Sequence, residues 1–297
     1  MNNSHHVKPI PLNYSAAFIQ FSINSVGIFN NFLLLYAHVK DPYKILNRCY
    51  FIVNIGVVDF LGSLLLFLYT TLVLGRVFNP ADKELLSLIS NEVVSLSLTA
   101  SLLSFFSLAI ERFLSVVYPL WHKVHFSNKA CRYWLAGMWL FLFTFESVQY
   151  VKEDIEFRIA RVGLYFIGFF TTNMLYLAAY ISIVKQRKAA KKSRESSHTN
   201  QRAIQFRLKN EKCFLSTVAI VCVIFTVLFS PVFALYVLIS LEKAKQTFSG
   251  INIIIVSYSP WMFVMGSLNF AINVPMYVWR LPKYRKTFKK LYCWSYT

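Results

Sequence analysis

The chain has 297 residues, 56% hydrophobic and 17% aromatic, with 9 glycines and a formal net charge of +18. In a soluble protein that charge would point to nucleic acid. Here most of the 31 Lys and Arg residues fall on alternate connections between seven long apolar stretches. This excludes a nucleic-acid partner and predicts a chain that crosses a bilayer an odd number of times.

A helix needs about 20 mostly apolar residues to cross the hydrocarbon core. The sequence predicts spans at Tyr14–His38, Arg48–Leu74, Leu85–Val117, Tyr133–Tyr150, Val162–Val184, Cys213–Leu241 and Gly250–Trp279. Backbone polar groups in lipid must be satisfied within their own segment, so these are helices. A closed barrel would need ~10-residue alternating strands, and no such alternation is present. The expected fold is an all-α membrane protein. Residues 1–13 form an outer tail, 14–279 a seven-helix bundle, and 280–297 a short amphipathic helix and tail.

The N-terminal tail is polar and predicts no cleavable leader. It carries two glycosylation sequons, at Asn2 and Asn13. The following connections alternate in charge. Lys40, Lys44 and Arg48 lie after the first span, and Arg112, Lys123, Lys129 and Arg132 after the third. A long basic run, Lys185 to Lys212, lies after the fifth, and Arg280 to Lys290 after the seventh. The basic side is therefore cytosolic and the N-terminus extracellular, which predicts a plasma-membrane protein.

Cysteines fall at Cys49, Cys131, Cys213 and Cys293, all at expected cytosolic helix ends, and at Cys222 inside the sixth span. None reaches an oxidising face, so no disulfide is expected. No Cys/His spacing suggests a transition-metal site. Cys293 is a palmitoylation candidate or a free thiol at the interface.

Ionisable groups within a span are costly and usually functional. Asp59 lies midway along the second span. Ser101, Asn269 and Asn273 are at comparable depth on other spans, and one acid among such oxygens suits a sodium ion. The alternative is a protonated acid that only joins helices. Glu111-Arg112-Phe113 ends the third span. Arg112 has two acids within reach, Glu111 locally and Glu211 at the start of the sixth span. Such a choice of partners makes a two-state contact; two exposed charges of little energy are the plainer reading. Pro231 interrupts the sixth span between Phe225, Phe229 and its outer end, and Pro275 interrupts the seventh, each removing one backbone hydrogen bond. Beyond Tyr277, the residues Tyr284, Phe288 and Leu291 recur at helical spacing among Lys and Arg, as in a helix lying on an anionic membrane surface.

Taken in order, these residues resemble the rhodopsin-like (class A) G protein-coupled receptors. Gly27 and Asn31 resemble the first-helix pair, Asn54 to Asp59 the second-helix signature, and Glu111-Arg112-Phe113 with Pro119-Leu120 the third-helix switch and its loop. Trp139, Tyr180, Glu211 and Asn273 to Tyr277 resemble the marks of helices four to seven. The resemblance implies a receptor rather than an enzyme. It implies an extracellular ligand, a heterotrimeric G protein and membrane lipid as partners, with sodium at Asp59. It places coupling and switching on Glu111, Arg112, Leu120, Tyr180, Glu211, Phe225, Phe229, Pro231, Asn273 and Tyr277. By position it places a pocket at Tyr69, Val94, Ser95, Leu98, Val232, Phe233, Tyr236, Phe263 and Ser267. Val94 stands where amine receptors carry Asp, which argues against an amine and leaves lipid, small apolar molecule or peptide.

The departures are equally specific. The proline of Asn273-Val-Pro-Met-Tyr277 sits one residue late, and Phe229 stands where many members have Trp. The fifth span lacks its proline, and the extracellular disulfide is missing, as in the melanocortin, cannabinoid and lysophospholipid branch. A multi-span transporter is the rival class, but only one deep acid is evident and no internal repeat.

Overall fold

The computed structural model describes residues 13–43, 46, 50–75, 83–151, 155–192, 198–245 and 251–292. Within these residues the chain is all helix. In order, the elements are α1 (Tyr14–Lys40), α2 (Tyr50–Leu74), α3 (Lys83–Val117), α4 (Pro119–His125), α5 (Asn128–Val151), α6 (Ile155–Lys192), α7 (His198–Lys245), α8 (Ile251–Arg280) and α9 (Pro282–Tyr292). Seven are long, and six of those contain a stretch apolar enough to cross a membrane. The remaining long helix, α5, carries Lys129, Arg132 and Glu146. The protein is a multi-pass membrane protein.

Helices cover the described residues of all seven expected spans, six of them apolar enough to cross a membrane, with two physical differences. First, α6 and α7 run well past Val184 and back before Cys213, so much of the basic run is helical. Ala, Lys, Arg and Gln are good helix formers, and water replaces lipid around them without ending the helix. Second, the Pro119-Leu120 segment is a separate short helix, with Pro119 in its first turn, where no backbone N–H is needed.

Local chemistry fixes the ends. The Asn13 side chain accepts from the Ala16 N–H at 3.1 Å and caps α1. In α9, Tyr284 and Thr287 are buried, and the Tyr292 hydroxyl donates to the Leu33 carbonyl of α1 at 2.7 Å. The amphipathic helix thus docks on α1 through Tyr292 and on α8 through Tyr284.

The main apolar core joins α2, α3, α6, α7 and α8, with Leu98, Phe105, Val218, Phe225 and Tyr277 fully buried. α1 packs chiefly on α2 and α8. Its inner face is polar or small: Gln20, Asn24, Gly27 and Asn31 are all buried. A Cβ on Gly27 would lie 2.4 Å from the Ser63 hydroxyl, so only glycine permits this approach.

Of the prolines inside helices, Pro231 and Pro275 each leave an orphan carbonyl four residues back that finds a donor. Pro231 frees the Val227 carbonyl, which takes the Ser230 hydroxyl at 2.8 Å. Pro275 frees the Ala271 carbonyl, which takes the Asn30 side-chain amide at 3.1 Å. The next residue, Asn31, donates to the Phe270 carbonyl at 2.8 Å. The late proline of α8 is therefore matched by a neighbouring pair of asparagines on α1.

Candidate functional site

The basic residues gather at one end of the bundle, called here the basic end. There α3, α4, α7 and α9 surround a cavity of about 1190 Å³, lined among others by Glu111, Arg112, Leu120, His122, Glu211 and Phe214. Arg112 takes the local partner. Its Nη2 donates to Glu111 Oε1 at 2.7 Å, and its Nε donates to Glu111 Oε2. The guanidinium lies 4.4 Å from the Phe214 ring centre on α7, a cation–π contact. Among the described ion pairs none joins Arg112 to Glu211; Glu211 lines the same cavity instead. His122 of α4 adds a partner not anticipated from the sequence: its Nε2 lies 3.2 Å from Glu111 Oε1. Pro119 starts the short helix that carries His122 back to the acid.

Leu120 projects into solvent, 82% exposed. Tyr180 is partly exposed beneath Lys212, whose Nζ lies 5.5 Å from the ring centre. Tyr277 is different. It is fully buried, and its ring packs on Tyr284 of α9 at 6.0 Å. The structure thus brings Glu111, Arg112, Leu120 and Glu211 to one cavity but keeps Tyr277 behind it.

Deeper in the bundle lies Asp59, with no exposed surface. Asn273 donates to its Oδ2 at 2.6 Å, while its Oδ1 has no partner. The Ser101 hydroxyl and both amide atoms of Asn269 are likewise buried without partners. Each such atom costs about 1–3 kcal/mol if nothing meets it. The donor set is one carboxylate with neutral oxygens, which fits a small hard cation and its waters. Asn24 of α1, Ser63 of α2 and Ser267 of α8 also hold buried polar atoms without partners. Asn54 is occupied elsewhere: it donates to Ser104 at 2.8 Å and accepts from Trp139 Nε1 at 2.9 Å.

The middle of the bundle is aromatic. Phe225 meets Phe105 at 4.7 Å, Phe229 at 4.6 Å and Phe169 at 5.3 Å, joining α3, α6 and α7 just on the basic side of Pro231. Beyond it lies the expected pocket, of which the described residues form only a part. Val232, Phe263 and Ser267 do come together with Phe229, around a cavity of about 10 Å³ that holds roughly one water. Leu98 is buried, while Tyr69 and Phe233 are half-buried. Ser95 faces α5, where it donates to Glu146 at 3.2 Å. The side chains of Val94 and Tyr236 lie outside the described residues, as do Asn2 and Cys293.

Residues 30–269 match the family described as 7 transmembrane receptor (rhodopsin family). The match covers most of the chain, and the protein belongs to that family. A search of curated proteins gives no match.

Proposed function

We propose that this chain is a plasma-membrane receptor that converts binding of an extracellular ligand into activation of a heterotrimeric G protein. The basic end is its cytosolic face, in keeping with the charge asymmetry of its loops. The observation that carries the reading is the cavity of about 1190 Å³ with Arg112 in its wall. A two-turn helix ~10 Å wide occupies roughly 850 Å³, so a helical segment of an α-subunit fits. Leu120 offers an apolar contact at its rim. The resting contact is Arg112 on Glu111, and an incoming partner must compete for that guanidinium. Purified receptor should accelerate nucleotide exchange on G proteins, and Arg112→Ala should abolish this at normal surface expression. Unchanged exchange in that variant would defeat the assignment.

Switching follows as a population shift. A ligand must favour the active packing by about 5.5 kcal/mol to move the ratio from 1:99 to 99:1. Phe225, Phe229 and Pro231 lie where α7 can pivot. Asn273 and Tyr277 lie where α8 meets Asp59 and α9. Asp59, Ser101, Asn269 and Asn273 would hold a sodium ion in the resting state. Its chemistry there is electrostatic: it would neutralise Asp59 and tie α2, α3 and α8 together. The ligand pocket is apolar and aromatic with Ser267 as a polar point. This suits a lipid, a small apolar molecule or an apolar stretch of a peptide. Basic α9 would rest on anionic lipid.

A further inference from the structure

The half of the bundle away from the cavity contains a buried ion pair that the switch described above does not use. Arg161 of α6 lies 3.2 Å from Glu146 of α5, with side-chain exposures of 12% and 9%. Glu146 also reaches α3: its Oε1 accepts from the Thr99 hydroxyl at 2.6 Å, and its Oε2 from Ser95. Thr99 in turn lies 3.0 Å from the Tyr165 hydroxyl of α6. Thr99 has one hydroxyl hydrogen, for which the Glu146 carboxylate and the Ser95 carbonyl at 2.9 Å, both acceptors only, compete. Tyr165 is therefore the donor in the Tyr165–Thr99 bond. Ser95, Thr99 and Tyr165 are all fully buried.

Tyr165 links this network to the helix that must move. Its ring meets Phe233 of α7 edge-on at 6.5 Å, two residues beyond Pro231. Phe233 meets Phe169, and Phe169 meets Phe225 in the aromatic layer. Stability alone does not require such a device, since well-packed apolar groups often serve as well as a buried ion pair. The described cysteines, Cys131, Cys213 and Cys222, are free thiols and cross-link nothing here, and residues 152–154 join α5 to α6.

We propose that Glu146 and Arg161 are positioning residues that staple the outer halves of α3, α5 and α6. Through Thr99 and Tyr165 they also set the resting position of Phe233 on α7. The purpose of the relay rests on the two-state receptor reading, so its test avoids any G protein. Full-length receptor in lipid nanodiscs would carry spin labels at exposed Lys129 and Lys209, on the cytosolic ends of α5 and α7, with reactive cysteines replaced. Thermal unfolding would be followed in parallel.

Tyr165→Phe removes one hydroxyl and keeps the ring. It should leave the melting temperature near the parent's yet move the label distance by about 2 Å or more. Glu146→Gln and Arg161→Met should lower the melting temperature and move the distance in the same direction. Exchanging the two charges (Glu146→Arg with Arg161→Glu) should recover melting but not the distance, because the carboxylate no longer faces Thr99. If all four proteins keep the parental distance, the pair is a local staple and the relay is overturned. If the distances move while the parent never drives nucleotide exchange, the relay stands and the coupling reading falls.

Discussion

Two buried acids are treated in opposite ways. Glu146 has both oxygens met, by Thr99, Ser95 and Arg161, from two neighbouring helices. Asp59 has one oxygen met by Asn273 and the other unmet, and Ser101 and Asn269 likewise hold buried atoms without partners. A satisfied buried network rigidifies packing. An unsatisfied one stays costly until a guest completes it. The first acid ties helices together and the second is where the proposed ion would sit, although both are single carboxylates inside membrane helices.

The largest effect should come from breaking the satisfied acid. Arg161→Leu leaves the Glu146 charge with only hydroxyl donors. Removing one partner of a buried pair costs about 3–5 kcal/mol. Unfolding of the purified receptor should show a large loss of thermal stability, and an unaltered melting temperature would mean that the pair is not desolvated. The same operation on the unsatisfied acid should do the reverse. Asp59→Asn replaces the acid by a neutral amide of the same size, so stability in sodium-free buffer should hold or rise. What disappears is the sodium effect: a rise of about 2–4 °C on replacing choline by sodium, expected for a gain near 1 kcal/mol. If Asp59→Asn retains that rise, the ion binds elsewhere.

The comparison also shows what the sequence could reveal. The seven spans, the basic side and the amphipathic helix were legible because lipid imposes length and composition on each segment. Asp59 with Asn273, and Glu111 with Arg112, were legible because charged residues are rare in such segments. The choice of Glu111 over Glu211 was not, since both lie within reach of a long guanidinium and only packing decides. Nor was His122, because Pro119 starts a short helix that folds it back on the acid. Glu146 carries little signal, since it stands near a helix end and its partners Thr99 and Tyr165 are common residue types on other helices. The burial of Tyr277 was not legible for a related reason, since only packing brings Tyr284 of α9 against it.

Smaller effects should separate the two asparagines that serve α8. Asn30→Ala exposes the Ala271 carbonyl that Pro275 cannot bond, while Asn31→Ala removes a donor to Phe270 and to Gly27. Each should cost about 1–3 kcal/mol, with Asn31→Ala the worse, because Asn31 is fully buried and makes two contacts. Restoring the proline to its usual register, by Val274→Pro with Pro275→Val, should then make Asn30 dispensable. Equal losses from Asn30→Ala in both backgrounds would break the pairing of the two features.

The smallest effect concerns the dock of α9 on α1, away from both acids. The Tyr292 hydroxyl donates to the Leu33 carbonyl. Burial, and secondarily Tyr36, push its pKa up to about 12. An unfolded tyrosine titrates near about 10. The folded state therefore holds its proton more tightly, and the contribution is intact below about pH 10 and is lost as pH rises towards 12. Tyr292→Phe removes the donor and should cost about 0.5–1.5 kcal/mol at neutral pH. The gap between the parent and Tyr292→Phe should stay constant to about pH 10 and then narrow. Hydrogen exchange in α9 would follow the same contact locally. A gap that widens with pH would show that the hydroxyl is not a donor to α1, and that Phe288 and Tyr284 alone hold the helix in place.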